Sequence, residues 1–132
     1  MRDEKGTGEE PAQDLYERAF TFACRIVKLH RYLVKHDSTG RELAGQLLRS
    51  GTSIGANLEE GRGAQTRPDF ITKFAVALKE ARETLYWLRL LSASEIVAAE
   101  RIEPLMSEAN ELVAILTAIV KKARQQERKR EK

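Results

Sequence analysis

Four stretches of this chain repeat their apolar residues in steps of four and three, the spacing of helices laid nearly parallel or antiparallel. The first stripe is Leu15, Ala19, Phe22, Ile26, Leu29 and Leu33. The second is Leu43, Leu47, Ile54 and Leu58, with Ser50 filling the step between Leu47 and Ile54. Phe70, Phe74, Ala77, Ala81, Leu85, Leu88 and Leu91 make the third, and Leu105, Ala109, Leu112, Leu116, Ile119 and Ala123 the fourth. No stretch alternates with the period of two that a half-buried strand requires. Short polar breaks between the stripes allow only antiparallel neighbours. The expected fold is all-α, an up-down-up-down antiparallel four-helix bundle over residues 13–124. A chain of 132 residues suits one such domain with a sizeable core.

The punctuation sets the expected boundaries. Residues 1–12 are charged, contain glycine and lack an apolar face, so they are predicted to be disordered. Helix 1 should start between Pro11 and Asp14 and stop near Lys35 to Asp37. Helix 2 should run from about Arg41 to Glu60, with Gly61 as a left-handed residue just past its end. Thr66 reads as an N-cap, with Asp69 three residues on in the manner of a capping box and Pro68 in the first turn. Helix 3 should end near Ser92 to Ser94. Helix 4 should begin around Val97 or Ala98, with Pro104 kinking or separating its first turns. Residues 125–132 hold no apolar side chain and read as a frayed or disordered basic tail.

Helix 2 is a poor helix former by composition. Gly45, Gly51 and Gly55 each cost about 1 kcal/mol relative to alanine. A close approach to another backbone would compensate, and Gly55 is expected to face a neighbouring helix closely. Gly51 and Gly55 also form the G-x-x-x-G of membrane helix pairs. Arg49, Asn57, Glu59 and Glu60 in the same segment argue against that use. No stretch approaches the roughly 20 apolar residues of a membrane span. The N-terminus lacks the apolar core of a secretory signal. A single cysteine excludes an internal disulfide and fits a reducing, cytoplasmic setting.

Little in the chain supports catalysis. A bundle-core metal site needs inward Glu-x-x-His pairs, but Val27 and Leu33 stand three residues before His30 and His36. Those histidines are six apart, on different helix faces, so no metal is expected. Cys24 sits mid-helix without a partner and reads as a buried or half-buried small side chain. No glycine cluster has the strand–loop–helix setting of a phosphate loop. Glu59 and Glu60 are adjacent rather than facing, with a capping or loop-fixing role open to Glu60. The expectation is a protein that is no enzyme and uses no cofactor.

Charge is more directive. Residues 121–132 carry Lys121, Lys122, Arg124, Arg128, Lys129, Arg130 and Lys132 against two glutamates, a net +5 in a chain whose total is +3. Such a run suits nucleic-acid phosphates, or is a solubilising tail. Arg49, Arg62 and Arg67 form a second basic group expected around the helix 2–3 corner. Few aromatics accompany either group, so base stacking is not expected. Phe20, Tyr32, Tyr86 and Trp87 lie partly off the four stripes, and read either as a wide core face or as a subunit interface.

One motif is long enough to compare with a known family. Gln46-Leu47-Leu48-Arg49-Ser50, then Ser53-Ile54-Gly55-Ala56-Asn57-Leu58, then Glu60-Gly61, resembles the Q-L-x-R-S…S-I-x-A-N-I-x-E-G signature of the bacterial four-helix-bundle family, the 23S rRNA intervening-sequence proteins. Phe70, Phe74, Leu78, Ala81 and Leu85 fit its third helix, and the likeness covers roughly residues 15–123. Glu59 departs from a common alanine, and Glu83-Thr84 from a common Gly-Ser. The resemblance implies a ring-like homopentamer. A more distant resemblance, to the accessory variability proteins of diversity-generating retroelements, implies a basic bundle that binds a reverse transcriptase and its RNA. Two functions follow as expectations. One is a non-enzymatic oligomeric scaffold associated with RNA, DNA or such an enzyme. The other is a protein-only adaptor whose basic tail is incidental.

Overall fold

The computed structural model describes residues 10–131. Four helices account for nearly all of them: α1 Glu10–His36, α2 Ser38–Arg62, α3 Arg67–Ala93 and α4 Ala99–Glu131. Each packs along its neighbour in sequence, α1 on α2, α2 on α3 and α3 on α4, while α1 and α4 approach each other only sparsely. Among the described residues there is no strand. The connections are too short to cross the bundle, so consecutive helices run antiparallel. The α2–α3 corner and the end of α4 therefore share one pole with the start of α1.

The first stripe is buried as its spacing requires: Leu15, Ala19, Phe22, Ile26, Leu29 and Leu33 all lie in the core. The other three are rotated. On α2 the buried line includes Ala44 and Gly51, and Leu43 is only half-buried. On α3 Ile71 and Thr84 are buried while Phe70 and Leu85 sit at the margin. On α4 Ile102 and Val120 join the core and Ile119 is marginal. These shifts put a polar pair inside. The hydroxyls of Ser50 and Thr84 are fully buried and 2.9 Å apart, sharing a hydrogen bond between α2 and α3. Thr84 also donates to the Glu80 carbonyl at 2.7 Å. A buried hydroxyl without such partners would be destabilising.

Helix ends differ from expectation in four places. The helix before Pro11 already includes Glu10, so residues 10–12 belong to α1; residues 1–9 lie outside the described residues. Helix α2 starts at Ser38 rather than Arg41, because the Asp37 carboxylate accepts from the Gly40 amide at 2.7 Å and caps it. Gly61 is not a left-handed terminus. It lies inside α2, and no described glycine has positive φ. Its use is steric: a methyl group there would lie 2.8 Å from the Phe74 ring. The left-handed residue is instead Glu95, with φ of 60°. The amides of Ile96 and Glu95 donate to the carbonyls of Leu91 and Ser92, closing α3 in a Schellman motif.

The fourth difference concerns α4. It continues through residues 125–131 as helix, where a frayed or disordered tail was expected. Pro104 lies inside it, five residues from its start, and does not split off a separate element. Its missing N–H leaves the carbonyl of the exposed Glu100 to solvent. Thr66 caps α3 as expected, accepting from the Asp69 amide at 3.2 Å. Cys24 corrects another expectation: it is exposed, on the outer face of α1.

Candidate nucleic-acid interface

The basic groups separated in sequence meet at one pole, with one exception. Arg62 ends α2, Arg67 begins α3, and α4 brings its last turns alongside. Arg49 does not belong there. It stands thirteen residues before Arg62, about 20 Å up the helix axis, and pairs with Gln46 and with Glu83 at 3.7 Å. Among the expected binding residues, Arg49 is therefore a side-wall residue of the bundle.

Arg67 is placed at the pole but is turned inward. Its guanidinium donates to Gln126 Oε1 at 2.8 Å and lies 3.9 Å from the Glu127 carboxylate. It is half-buried, as is Glu127. These contacts dock the end of α4 on the first turn of α3. Arg67 thus positions the basic helix rather than offering a fully exposed cation. Its role had no local sequence signal, since its partners are fifty-nine or more residues away.

Lys121, Lys122, Arg124, Arg128, Lys129 and Arg130 are all exposed. None makes an ion pair or a side-chain hydrogen bond among the described residues. Lys132 lies outside the described residues. The helical register orders these cations. Lys121, Arg124 and Arg128 follow one line in steps of three and four, and Lys122 and Lys129 stand two turns apart on the next. The inner line of the same turns is Val120, Ala123 and Glu127, which faces the bundle. Burying that line fixes which side of the helix carries charge.

Arg62 has a different environment. Its guanidinium lies over the Tyr16 ring, 4.2 Å from the centroid, and 3.6 Å from Glu59. A shallow groove beside it is lined by Tyr16, Glu17, Phe20, Thr21, Glu59 and Arg62. Burial raises the Tyr16 phenol above its ordinary pKa, with the Arg62 charge opposing. Phe20, at 70% exposure, therefore sits among carboxylates and not among the cations of α4.

The signature residues prove largely structural. Ile54 is buried, and Gly55 packs its Cα side on Ala19. Ser53 donates to the Arg49 carbonyl at 2.6 Å, and Asn57 to the Ser53 carbonyl at 2.9 Å, both within α2. Ala56 is exposed. Glu60 reaches α3, pairing with Lys73 at 2.8 Å, and Gly61 admits the Phe74 ring. These contacts fix the α2–α3 corner that presents Arg62 and Arg67.

Residues 12–118 match the 23S rRNA-intervening sequence protein family. The chain belongs to that family. A solved structure from Bacteroides thetaiotaomicron, of a protein with unknown function from the S23 ribosomal protein family, is 42% identical, with a TM-score of 0.75. The match covers 81% of this chain and 98% of that one. No curated protein matches. The matched segment stops at residue 118, before the basic turns of α4. Among the described residues no three His, Cys, Asp or Glu side chains are grouped to hold a metal ion. His36 instead stacks on Tyr32 with centroids 4.3 Å apart. No described helix is long and apolar enough to cross a membrane.

Proposed function

We propose that the protein is a non-enzymatic, self-assembling four-helix scaffold. Its basic pole engages nucleic acid, or a nucleic-acid enzyme such as a reverse transcriptase together with its RNA. The observation that carries this reading is the extension of α4 as a cation-lined helix beyond residue 118, docked by Arg67 at the same pole as Arg62. A floppy tail would lose conformational entropy on binding; an ordered helix has already lost it. Phe20 and Tyr86, 70% and 55% exposed, support self-association, since monomers rarely leave large aromatic side chains so open. A ring of five is the assembly that the family resemblance implies, and it would repeat the basic pole once per subunit.

Truncation after Glu127 tests the pole. It removes Arg128, Lys129, Arg130 and Lys132 and keeps both partners of Arg67. Binding to RNA and DNA of unrelated sequence should weaken about tenfold or more at low salt, with a flatter salt dependence. Unchanged affinity would exclude the terminal turns. Absence of binding by the full chain at low salt would leave the protein-only adaptor. Light scattering tests assembly: a particle of 15.0 kDa would overturn it.

A further inference from the structure

We infer that the polyanion taken by this pole is a double-stranded nucleic acid, held through its phosphates by the last turns of α4. The inference rests on the nucleic-acid reading above and adds the form of the ligand. Two separations in the structure lead to it. Single strands are bound by pairing a cationic groove with aromatic faces on which bases stack. Here the cations of α4 are kept apart from an open aromatic. Lys121, Lys122, Arg124, Arg128 and Lys129 have no aromatic neighbour on their helix, whereas Phe20 lies in a groove of α1 and α2 with Glu17, Glu59 and the single cation Arg62. Arg62 is already taken up by Tyr16 and Glu59, and two carboxylates against one guanidinium disfavour a phosphate chain that would bring a base onto Phe20.

The second separation is between charge and flexibility. The cations ride on a continuous helix that Arg67 docks to α3, so they form a rigid array rather than a chain that wraps unpaired bases. Such an array responds to phosphate density alone. A duplex presents one charge per about 1.7 Å of axis, more than a single strand offers along the same length. Phosphate contacts carry no base information, so the preference is for duplex form and not for sequence. For about four contacts, the logarithm of affinity should fall with the logarithm of salt with a slope of about −3.6 on duplex and about −2.8 on a single strand.

The test is fluorescence anisotropy with the full chain and labelled oligonucleotides of one arbitrary sequence, as DNA duplex, RNA duplex and each single strand, across a salt series. The expected result is duplex binding about tenfold tighter than single-strand binding at low salt, with the steeper slope. The two duplex arms show whether the sugar matters; equal binding, or a preference for either, keeps the inference provided both exceed their single strands. Phe20→Ala should leave the ratio of duplex to single-strand affinity unchanged, since any weakening of assembly lowers both alike. Single strands bound as tightly as duplex, or a loss in Phe20→Ala confined to single strands, would overturn the duplex inference and leave the nucleic-acid reading standing. No binding to any of the four would overturn the nucleic-acid reading itself.

Discussion

The flanks of α2 and the seam between α1 and α4 hold the same bundle by different means. Along α2, side chains fill space that glycine leaves. Ile26 of α1 sits over Gly51, where a methyl group would lie 2.9 Å from its branched carbons. On the other flank the Phe74 ring lies against Gly61, stacked on Phe70 at 4.2 Å and met edge-on by Tyr16 at 6.5 Å. Between α1 and α4 there is no comparable interdigitation. That seam is bridged by long polar side chains. Arg18 donates to both Glu108 oxygens at 2.9 and 2.8 Å and to Glu111 at 2.6 Å. Arg101 covers the Tyr32 ring at 4.0 Å. Stability therefore resides mainly along the flanks of α2. Close apolar contact is rigid and adds up over many atoms. A partly solvated ion pair gives about 0–1 kcal/mol, because water competes for both charges.

Three measurements sharpen that contrast. The largest effect is expected from Phe74→Ala, which empties the space over Gly61. Chemical denaturation should show a loss of about 3–5 kcal/mol. A loss below about 1 kcal/mol would mean that the α2–α3 corner does not depend on this ring.

The second compares glycines on one helix. Gly51→Ala forces Ile26 aside, and overpacking of about 1–3 kcal/mol should outweigh the gain in helix propensity. Gly55→Ala should behave oppositely. Its methyl would meet Ala19 at 3.6 Å, an ordinary contact, so the propensity gain of up to about 1 kcal/mol should appear. At Gly45 nothing lies within 4 Å, and the same gain is expected. Gly55 does face α1 as expected, its Cβ position 3.7 Å from the Ala19 backbone, but the tighter steric demand falls on Gly51 and Gly61, against side chains. Equal melting temperatures for the Gly51 and Gly55 variants would contradict the distances.

The smallest effect belongs to the α1–α4 clasp. Arg18 holds the Glu108 carboxyl below its usual pKa, chiefly by hydrogen bonding, with partial burial opposing. A carboxylate whose folded pKa is depressed stabilises the fold above its unfolded value, and that contribution is lost as pH falls through the folded value. Stability should therefore decline below about pH 4.5 partly through this pair. Glu108→Gln should lower stability by only about 0.5–1 kcal/mol at neutral pH and make the acid side of the profile flatter. An unchanged acid limb would show that other carboxylates govern it.

The legible part of the fold was the part set by local spacing. The α1 stripe is legible residue for residue because five of its six positions are large apolar side chains and the steps of four and three run unbroken. On α2 the true buried line passes through Ala44, Gly51 and Gly61, which carry little hydrophobic signal, so Leu43 stood in for them. On α3 Thr84 is buried because Ser50 is opposite, a fact no single helix contains. The basic residues were legible as charge. Their arrangement was not, since helicity after Gln125 has no apolar stripe to announce it.

By itself, then, the sequence determined the helix count, the antiparallel order and the concentration of positive charge near its end. Periodicity and charge are properties of neighbouring residues, and short loops leave no other topology. Tertiary structure alone decided that Arg67 docks α4 through Gln126 and Glu127. It also decided that Arg49 stands apart from Arg62, and that Glu95 rather than a glycine takes the left-handed turn. Each of these depends on which faces of distant helices meet, and that is settled by packing the whole core at once.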